Sequence, residues 1–139
     1  MIYLDTSVIV ALFLDDAFSS RADAALRGKN LKLAVSDFAI AEFASSVGRL
    51  VRMREVTAKE ARSAFGDFDR WNAKFAVTAN MQSADVATAT AFLRRLDLNL
   101  RAPDAINIAI AQRSGAELAT FDARMAGSAK TLGVPLAAL

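Results

Sequence analysis

The chain contains neither cysteine nor histidine. The first absence removes thiolate nucleophiles, thiolate metal sites and disulfides, and it suits a reducing compartment. The second removes serine-histidine triads, cysteine-histidine pairs, imidazole metal sites and histidine acid-base work. Any catalysis must rest on Asp, Glu, Lys, Arg, Ser, Thr or Tyr, and any bound metal must take oxygen ligands. Oxygen ligands favour magnesium or manganese over calcium. A membrane span is missing too. The longest early apolar run, residues 8–14, falls far short of the ~20 residues a span needs, and Asp5, Asp15 and Asp16 flank it. No basic segment precedes an apolar one at the N-terminus, so no signal peptide is read there, and a cytoplasmic protein with no membrane partner is expected. Repeats, linkers and low-complexity tracts are also lacking.

What is present suffices for one domain, residues 1–139, since 139 residues with 54% hydrophobic content can build a core without disulfides. The net charge of +2 permits a polyanionic partner without requiring one. Residues 2–4 read as a short buried strand, and residues 8–14 as a core helix whose start Thr6 or Ser7 can cap. Asp5 therefore falls where a strand stops and a helix begins. In an open α/β sheet that is the edge where ligands collect. Its carboxylate either helps to cap the helix or holds a cation that holds a phosphate.

Further along, residues 18–28 read as a helix stopped by Gly28, and residues 31–35 as a second strand. Ser36 and Asp37 open a long helix to about Met53, with Ile40, Phe43, Ala44, Val47, Leu50 and Val51 on its buried face and Glu42 at the border of that face. Thr57 and Glu60 fit a capping box at the head of the helix 57–74, which carries an aromatic stripe of Phe65, Phe68 and Trp71. Such a stripe serves as core, subunit contact or base-stacking platform. Residues 75–79 suit a short strand. Residues 83–96 form an alanine-rich helix capped by Ser83 and ending near Arg94 and Arg95, a pair read as a solvated terminus or a phosphate contact.

Pro103 suits a first helical turn, and the residues after it are apolar on nearly every side, so this helix is expected to be central. Its polar pair, Asp104 and Asn107, shares one face near the N-terminal end. Residues 117–121 read as a strand, Asp122 as a strand-to-helix junction, residues 123–132 as a helix stopped by Gly133, and residues 134–136 as a last strand. Alternating strands and helices give an α/β fold, a parallel sheet flanked by helices on both faces.

Taken together, the acids carry more than any one alone. Asp5 and Asp122 end parallel strands at the same edge, Ser36 starts the helix bearing Glu42 at that edge, and Asp104 begins a helix that must run back from it. At about 5 Å separation and an effective dielectric near 20, each ionised pair repels by about 3 kcal/mol, which a divalent ion would offset. One or two magnesium or manganese ions held there would acidify a water, align it with a phosphodiester and stabilise the leaving oxygen. Asn107 is a candidate supporting donor or a packing residue. Arg101 and Arg124, near Asp104 and Asp122, are either phosphate clamps or exposed termini.

In these residues the chain resembles the PIN domains, and most of all the VapC-type ribonuclease toxins of toxin-antitoxin pairs. The resemblance runs from Tyr3-Leu4-Asp5-Thr6-Ser7 through Ser36 and Glu42 to Pro103-Asp104-Ala105, Thr120-Phe121-Asp122 and Leu132-Gly133-Val134. Each motif is short; their order and spacing are the specific part. The resemblance implies a PIN-like parallel α/β domain in which Asp5, Glu42, Asp104 and Asp122 are the catalytic, metal-binding acids, with Thr6 a supporting hydroxyl. It implies Mg²⁺- or Mn²⁺-dependent hydrolysis of RNA, a small cognate antitoxin that blocks the cleft, and a homodimer, for which exposed aromatics on the helix 57–74 would be a physical reason. Two alternatives are a catalytically silent PIN-like module that binds RNA or protein, and a phosphotransfer enzyme with Asp5 as nucleophile. The latter wants a second Asp two residues on, where Ser7 stands.

Overall fold

The computed structural model describes residues 1–26 and 31–139; the helix stop expected at Gly28 lies outside the described residues. Four short strands, β1 (Ile2–Leu4), β2 (Leu33–Val35), β3 (Ala76–Thr78) and β4 (Glu117–Ala119), form a wholly parallel sheet in the order β3-β2-β1-β4. Around it run α1 (Thr6–Phe13), α2 (Ser19–Leu26), α3 (Asp37–Arg52), α4 (Ala58–Phe75), α5 (Ser83–Arg94), α6 (Ala102–Arg113) and α7 (Ala123–Thr131).

Side chains alternate across a strand, and here the alternation separates two cores. Leu4, Leu33, Val35 and Ala119 face Val8 and Ile9 of α1, Phe43 and Val47 of α3, and Phe68 of α4. Tyr3, Ala34 and Leu118 face Ile108 and Ile110 of α6 and Met125 and Ala129 of α7. Strands of three residues have little stability of their own. What holds them is apolar burial on both faces, about 1.5–3 kcal/mol for each large side chain fully removed from water.

The strand order fixes where a ligand can enter. From β1 the chain steps outward through β2 to the edge strand β3, then crosses back to lay β4 against the other side of β1. The connections thus reverse direction between β1 and β4, and such a switch point opens a crevice beyond the carboxyl ends of those two strands.

Local signals explain most boundaries. The Thr57 capping box is present, with Thr57 N donating to Glu60 Oε2 at 2.8 Å and Glu60 N donating to Thr57 Oγ1 at 3.2 Å. At α5 the cap is Gln82 rather than Ser83, because Asp85 at the third helical position reaches back to accept from Gln82 N at 2.8 Å. That helix ends at Arg94, short of residue 96, where Leu96 takes a left-handed φ of 64°. Arg95 pairs with Asp97 at 2.7 Å on the exposed surface beyond the helix end. The strand expected over 134–136 reduces to a single bridge between Leu118 and Leu136; Pro135 accepts from Leu118 N but has no N–H to extend a ladder.

The aromatic stripe turns inward. Phe68 is buried, and Phe13 meets it and Trp71 edge-on at centroid distances of 5.5 and 5.6 Å, while Phe43 meets Phe65 at 5.8 Å. Phe68 is a core residue and Phe65 and Trp71 pack, partly buried, against the same core, which weakens the expected reason for a homodimer. The exposed apolar side chains near that point are instead Phe75 and Val77, at the sheet edge. Among the described residues no helix is long and apolar enough to cross a membrane.

Candidate active site

Asp5 is the first residue past β1 and only 3% exposed. Of the caps open for α1, Thr6 or Ser7 or the Asp5 carboxylate, it is Asp5 that serves: its Oδ1 accepts from Ser7 N at 3.0 Å and Val8 N at 3.3 Å. The Ser7 hydroxyl adds a third donor to Oδ1 at 2.6 Å, and Thr120 Oγ1 donates to Oδ2 at 2.9 Å. Even with these donors, burial pushes the Asp5 carboxyl up to about 6. Ser7 Oγ in turn accepts from Phe121 N at 2.8 Å, so one hydroxyl joins the ends of β1 and β4 across the switch point.

Glu42, on α3, faces Asp5's helix. Its Oε2 accepts from Thr6 Oγ1 at 3.2 Å and from Asn107 Nδ2 at 2.7 Å, so Thr6 and Asn107 both hold it from neighbouring elements. Asn107 is itself fixed from below. Tyr3 Oη donates to Asn107 Oδ1 at 2.6 Å and lies 2.7 Å from Ser36 Oγ, the hydroxyl that caps α3 by accepting from Ala39 N. With the Tyr3 proton committed to Asn107, the Ser36 hydroxyl is the donor to Tyr3. A buried line of hydrogen bonds therefore runs Ser36, Tyr3, Asn107, Glu42, from under the sheet to the crevice. Burial raises the Tyr3 phenol above its usual range, so it stays protonated. Burial also raises Glu42, and the charge of Asp104 adds to that effect.

Asp104 is the third residue of α6 and is buried; its Oδ2 accepts from Arg101 N at 3.0 Å, with Arg101 Nε 3.5 Å away. Asp122 caps α7, its Oδ1 accepting from Arg124 N at 2.8 Å and Met125 N at 3.0 Å, while the Arg124 guanidinium lies 3.8 Å from Oδ2. Asp5, Glu42, Asp104 and Asp122, together with Thr6 and Asn107, line a single cleft of about 420 Å³. It opens where the strand order places the crevice.

Comparison with known proteins agrees with that geometry. A family model for the PIN domain matches residues 2–130. The chain belongs to the PIN domain family. No curated protein sequence matches it significantly. Among solved structures, this PIN domain is similar to the Mycobacterium tuberculosis toxin VapC20, titled a Sarcin-Ricin loop cleaving toxin, at 21% identity and a TM-score of 0.73, covering 92% of this chain and 95% of the other. It is similar to FitAcB from Neisseria gonorrhoeae at 20% identity and a TM-score of 0.72, covering 98% and 96%. VapBC2 from Rickettsia felis, bound to a DNA fragment from its promoter, follows at 18% identity and a TM-score of 0.68, covering 98% and 96%. At these identities the likeness is one of fold.

The donor chemistry of the PIN domain's cleft suits a hard divalent cation. All the hydrogen bonds to Glu42 fall on Oε2 and all those to Asp104 on Oδ2. Among the described residues no buried side-chain oxygen lacks a partner, so Glu42 Oε1 and Asp104 Oδ1 are open to solvent. Yet no three acidic side chains among the described residues stand close enough to grip one ion together. Each acid is held by its own local partners: Asp5 and Asp122 by helix N–H groups, Asp104 by Arg101, Glu42 by Thr6 and Asn107. Such a set fits a cation that keeps much of its water, as Mg²⁺ does.

Sequence reasoning overlooked Tyr3, Ser7 and Thr120 as parts of this site. Tyr3 carried a usable signal, since the only tyrosine of the chain sits in an otherwise apolar strand and its hydroxyl had to find a buried partner. Thr120 had none, because its contact to Asp5 spans 115 residues, and for Ser7 only the bond to Asp5 is local, while the one to Phe121 spans 114.

Proposed function

We propose that this PIN domain is a Mg²⁺- or Mn²⁺-dependent endoribonuclease, the toxin of a toxin-antitoxin pair. The observation that carries the reading is the gathering of Asp5, Glu42, Asp104 and Asp122 in one crevice at the switch point, with outward oxygens on Glu42 and Asp104. These four acids would hold the cation. Bound there, it supplies counter-charge for a phosphodiester and a more acidic water.

The chain's own residues do the rest. Asp5, near 6, is mostly ionised at neutral pH and brings its negative charge to the cleft. Thr6 and Asn107 fix Glu42 Oε2 and so aim Oε1 outward. Asp104 Oδ1 is free to accept a proton from an attacking water, and the Arg101 guanidinium beside Oδ2 limits the repulsion that an arriving phosphate meets. An acidic cleft of this kind is also a receptor for a cationic side chain, which supports an antitoxin that blocks it with arginine or lysine.

The test is cleavage of purified RNAs with Mg²⁺ or Mn²⁺ by the wild-type chain and by Asp5→Asn. Loss of cutting with the fold intact is expected; equal activity in both would reject Asp5 as part of the site. A second reading, a PIN-like module that binds RNA or protein without turnover, draws on the separate local partners of the acids. RNA bound but left whole in the presence of Mn²⁺ would favour it.

A further inference from the structure

Beside the acids, on the same cleft, stand two aromatic rings that the chemistry above does not use. Phe18 and Phe121 are stacked, with centroids 4.6 Å apart and planes within 10° of parallel. Phe18 belongs to neither large core and is 37% exposed. Both rings rest on fixed backbone. Phe18 N donates to Asp16 Oδ1 at 2.7 Å, and the turn is closed by Asp16 N donating to Ser19 Oγ at 3.1 Å. Phe121 N donates to Ser7 Oγ at 2.8 Å, the same hydroxyl that holds Asp5. The Arg21 guanidinium is 5.8 Å from one ring centre and 5.3 Å from the other. Arg21 is nearly equidistant from both members of the stack, and Phe18 keeps part of its surface exposed to solvent.

We infer that Phe18, backed by Phe121, is a stacking platform for one unpaired nucleobase of the RNA next to the scissile phosphodiester, with Arg21 adding positive charge beside it. The inference rests on the ribonuclease reading and narrows its substrate to RNA that presents an unstacked base, in a single strand or a loop. An exposed, pre-oriented aromatic face beside a phosphodiester site has the geometry that base stacking needs. Any of the four bases would be accepted, because each has a π-face. Phe18 is thus a positioning residue, one that fixes which phosphodiester reaches the acids.

The experiment measures kcat/KM with Mn²⁺ for a short single-stranded RNA that the wild type cuts, and for copies carrying one abasic ribose at successive positions around the cut. Phe18→Ala is expected to lower kcat/KM about tenfold. Phe18→Leu, which keeps apolar bulk against Phe121 but has no π-face, should lose as much, and Phe18→Tyr should restore the rate. At one flanking position the abasic copy should cost the wild type the same factor and cost Phe18→Ala nothing more. Circular dichroism establishes that each variant is folded, and the leucine variant decides if the alanine variant is not. Wild-type rates in Phe18→Leu, or losses that multiply at every abasic position, overturn the inference while cleavage by the wild type leaves the nuclease reading standing. No cleavage of any RNA by the wild type removes both. A defect confined to binding a protein inhibitor overturns it in favour of partner recognition.

Discussion

The Tyr3 hydroxyl donates to Asn107 Oδ1 at 2.6 Å, joining the central strand to the helix that carries Asp104. The two residues are 104 positions apart, and the bond is buried. Tyr3→Phe removes the hydroxyl without changing the packing of the ring. Asn107 Oδ1 and the Ser36 hydroxyl each lose a partner in a place water does not reach, at a cost of about 1–3 kcal/mol. Urea unfolding is expected to show that loss. Because Asn107 also holds Glu42, cleavage should fall and a higher Mn²⁺ concentration should be needed for half-maximal rate. An unchanged metal requirement would mean that the hydrogen-bonded line supports the fold alone.

Asp5 gives the metal-free protein a pH dependence of a particular sign. Its carboxyl is pushed by burial from 3.8 to about 6. Between those values the folded chain holds a proton that the unfolded chain has released, so stability falls as the pH rises through the window. The contribution is complete below about pH 4 and gone above about pH 6, on the order of 2–3 kcal/mol. Glu42 is raised by burial as well and steepens the slope. Asp5→Asn is expected to flatten this part of the curve and to be more stable than the metal-free wild type at neutral pH. Added Mg²⁺ or Mn²⁺ should raise the melting temperature of the wild type more than that of Asp5→Asn. Calorimetry in EDTA and in excess metal checks both statements.

Ser7 supplies a hydroxyl donor to Asp5 and is one of the groups that draw its carboxyl downward. Ser7→Ala withdraws that donor and also leaves Phe121 N without its acceptor. The Asp5 carboxyl should rise further. If ionised Asp5 is required for cleavage, the acid limb of the kcat/KM profile moves to higher pH in Ser7→Ala, by a fraction of a unit to one unit on the order of a single hydrogen bond. A limb that stays in place would separate Asp5 from the rate.

Stability away from the cleft rests on a buried ion pair that sequence reading did not pick out. Asp85, 1% exposed on α5, accepts from Arg113 Nε at 2.7 Å and from Arg113 Nη2 at 3.0 Å, and Nη2 also donates to the carbonyl of Asn80. Arg113→Ala strands the Asp85 carboxylate and should cost about 3 kcal/mol in chemical denaturation, the lower end for such pairs because Arg113 is partly exposed. Arg113 ends α6 nine residues beyond Asp104, roughly 13 Å along the axis. The folded variant should therefore cut RNA at close to the wild-type rate.

These cases mark what was readable in the residues and what was not. The run Ile2-Tyr3-Leu4 ending on Asp5, and the all-apolar helix after Pro103, have local signatures of period and capping, so the strands, the central helix and the parallel sheet followed directly. Asp5, Thr6, Asp104 and Asp122 could be placed at one edge because each ends a strand or opens a helix, and Glu42 and Asn107 because they lie within the first two turns of helices that start there. Their partners could not. Thr6, Ser7 and Asp5 were all open as caps of α1, and it is the Asp5 carboxylate that has the reach to the N–H groups of residues 7 and 8. Phe65 and Trp71 looked equally suited to core or surface, since a helical stripe does not say what lies opposite it; Phe13 and Phe43 do. The Asp85–Arg113 pair spans 28 residues and belongs to no period at all.

The place of β1 between β2 and β4 has a consequence for synthesis. Asp5, Thr6 and Ser7 are synthesised more than a hundred residues before Thr120, Phe121 and Asp122, which complete their surroundings. Until then β1 has one open flank, and the crevice lacks the side that Phe121, Asp122 and Met125 supply. In a chain growing from its N-terminus the crevice of the PIN domain is therefore completed late, once Thr120, Phe121 and Asp122 close over the end of β1.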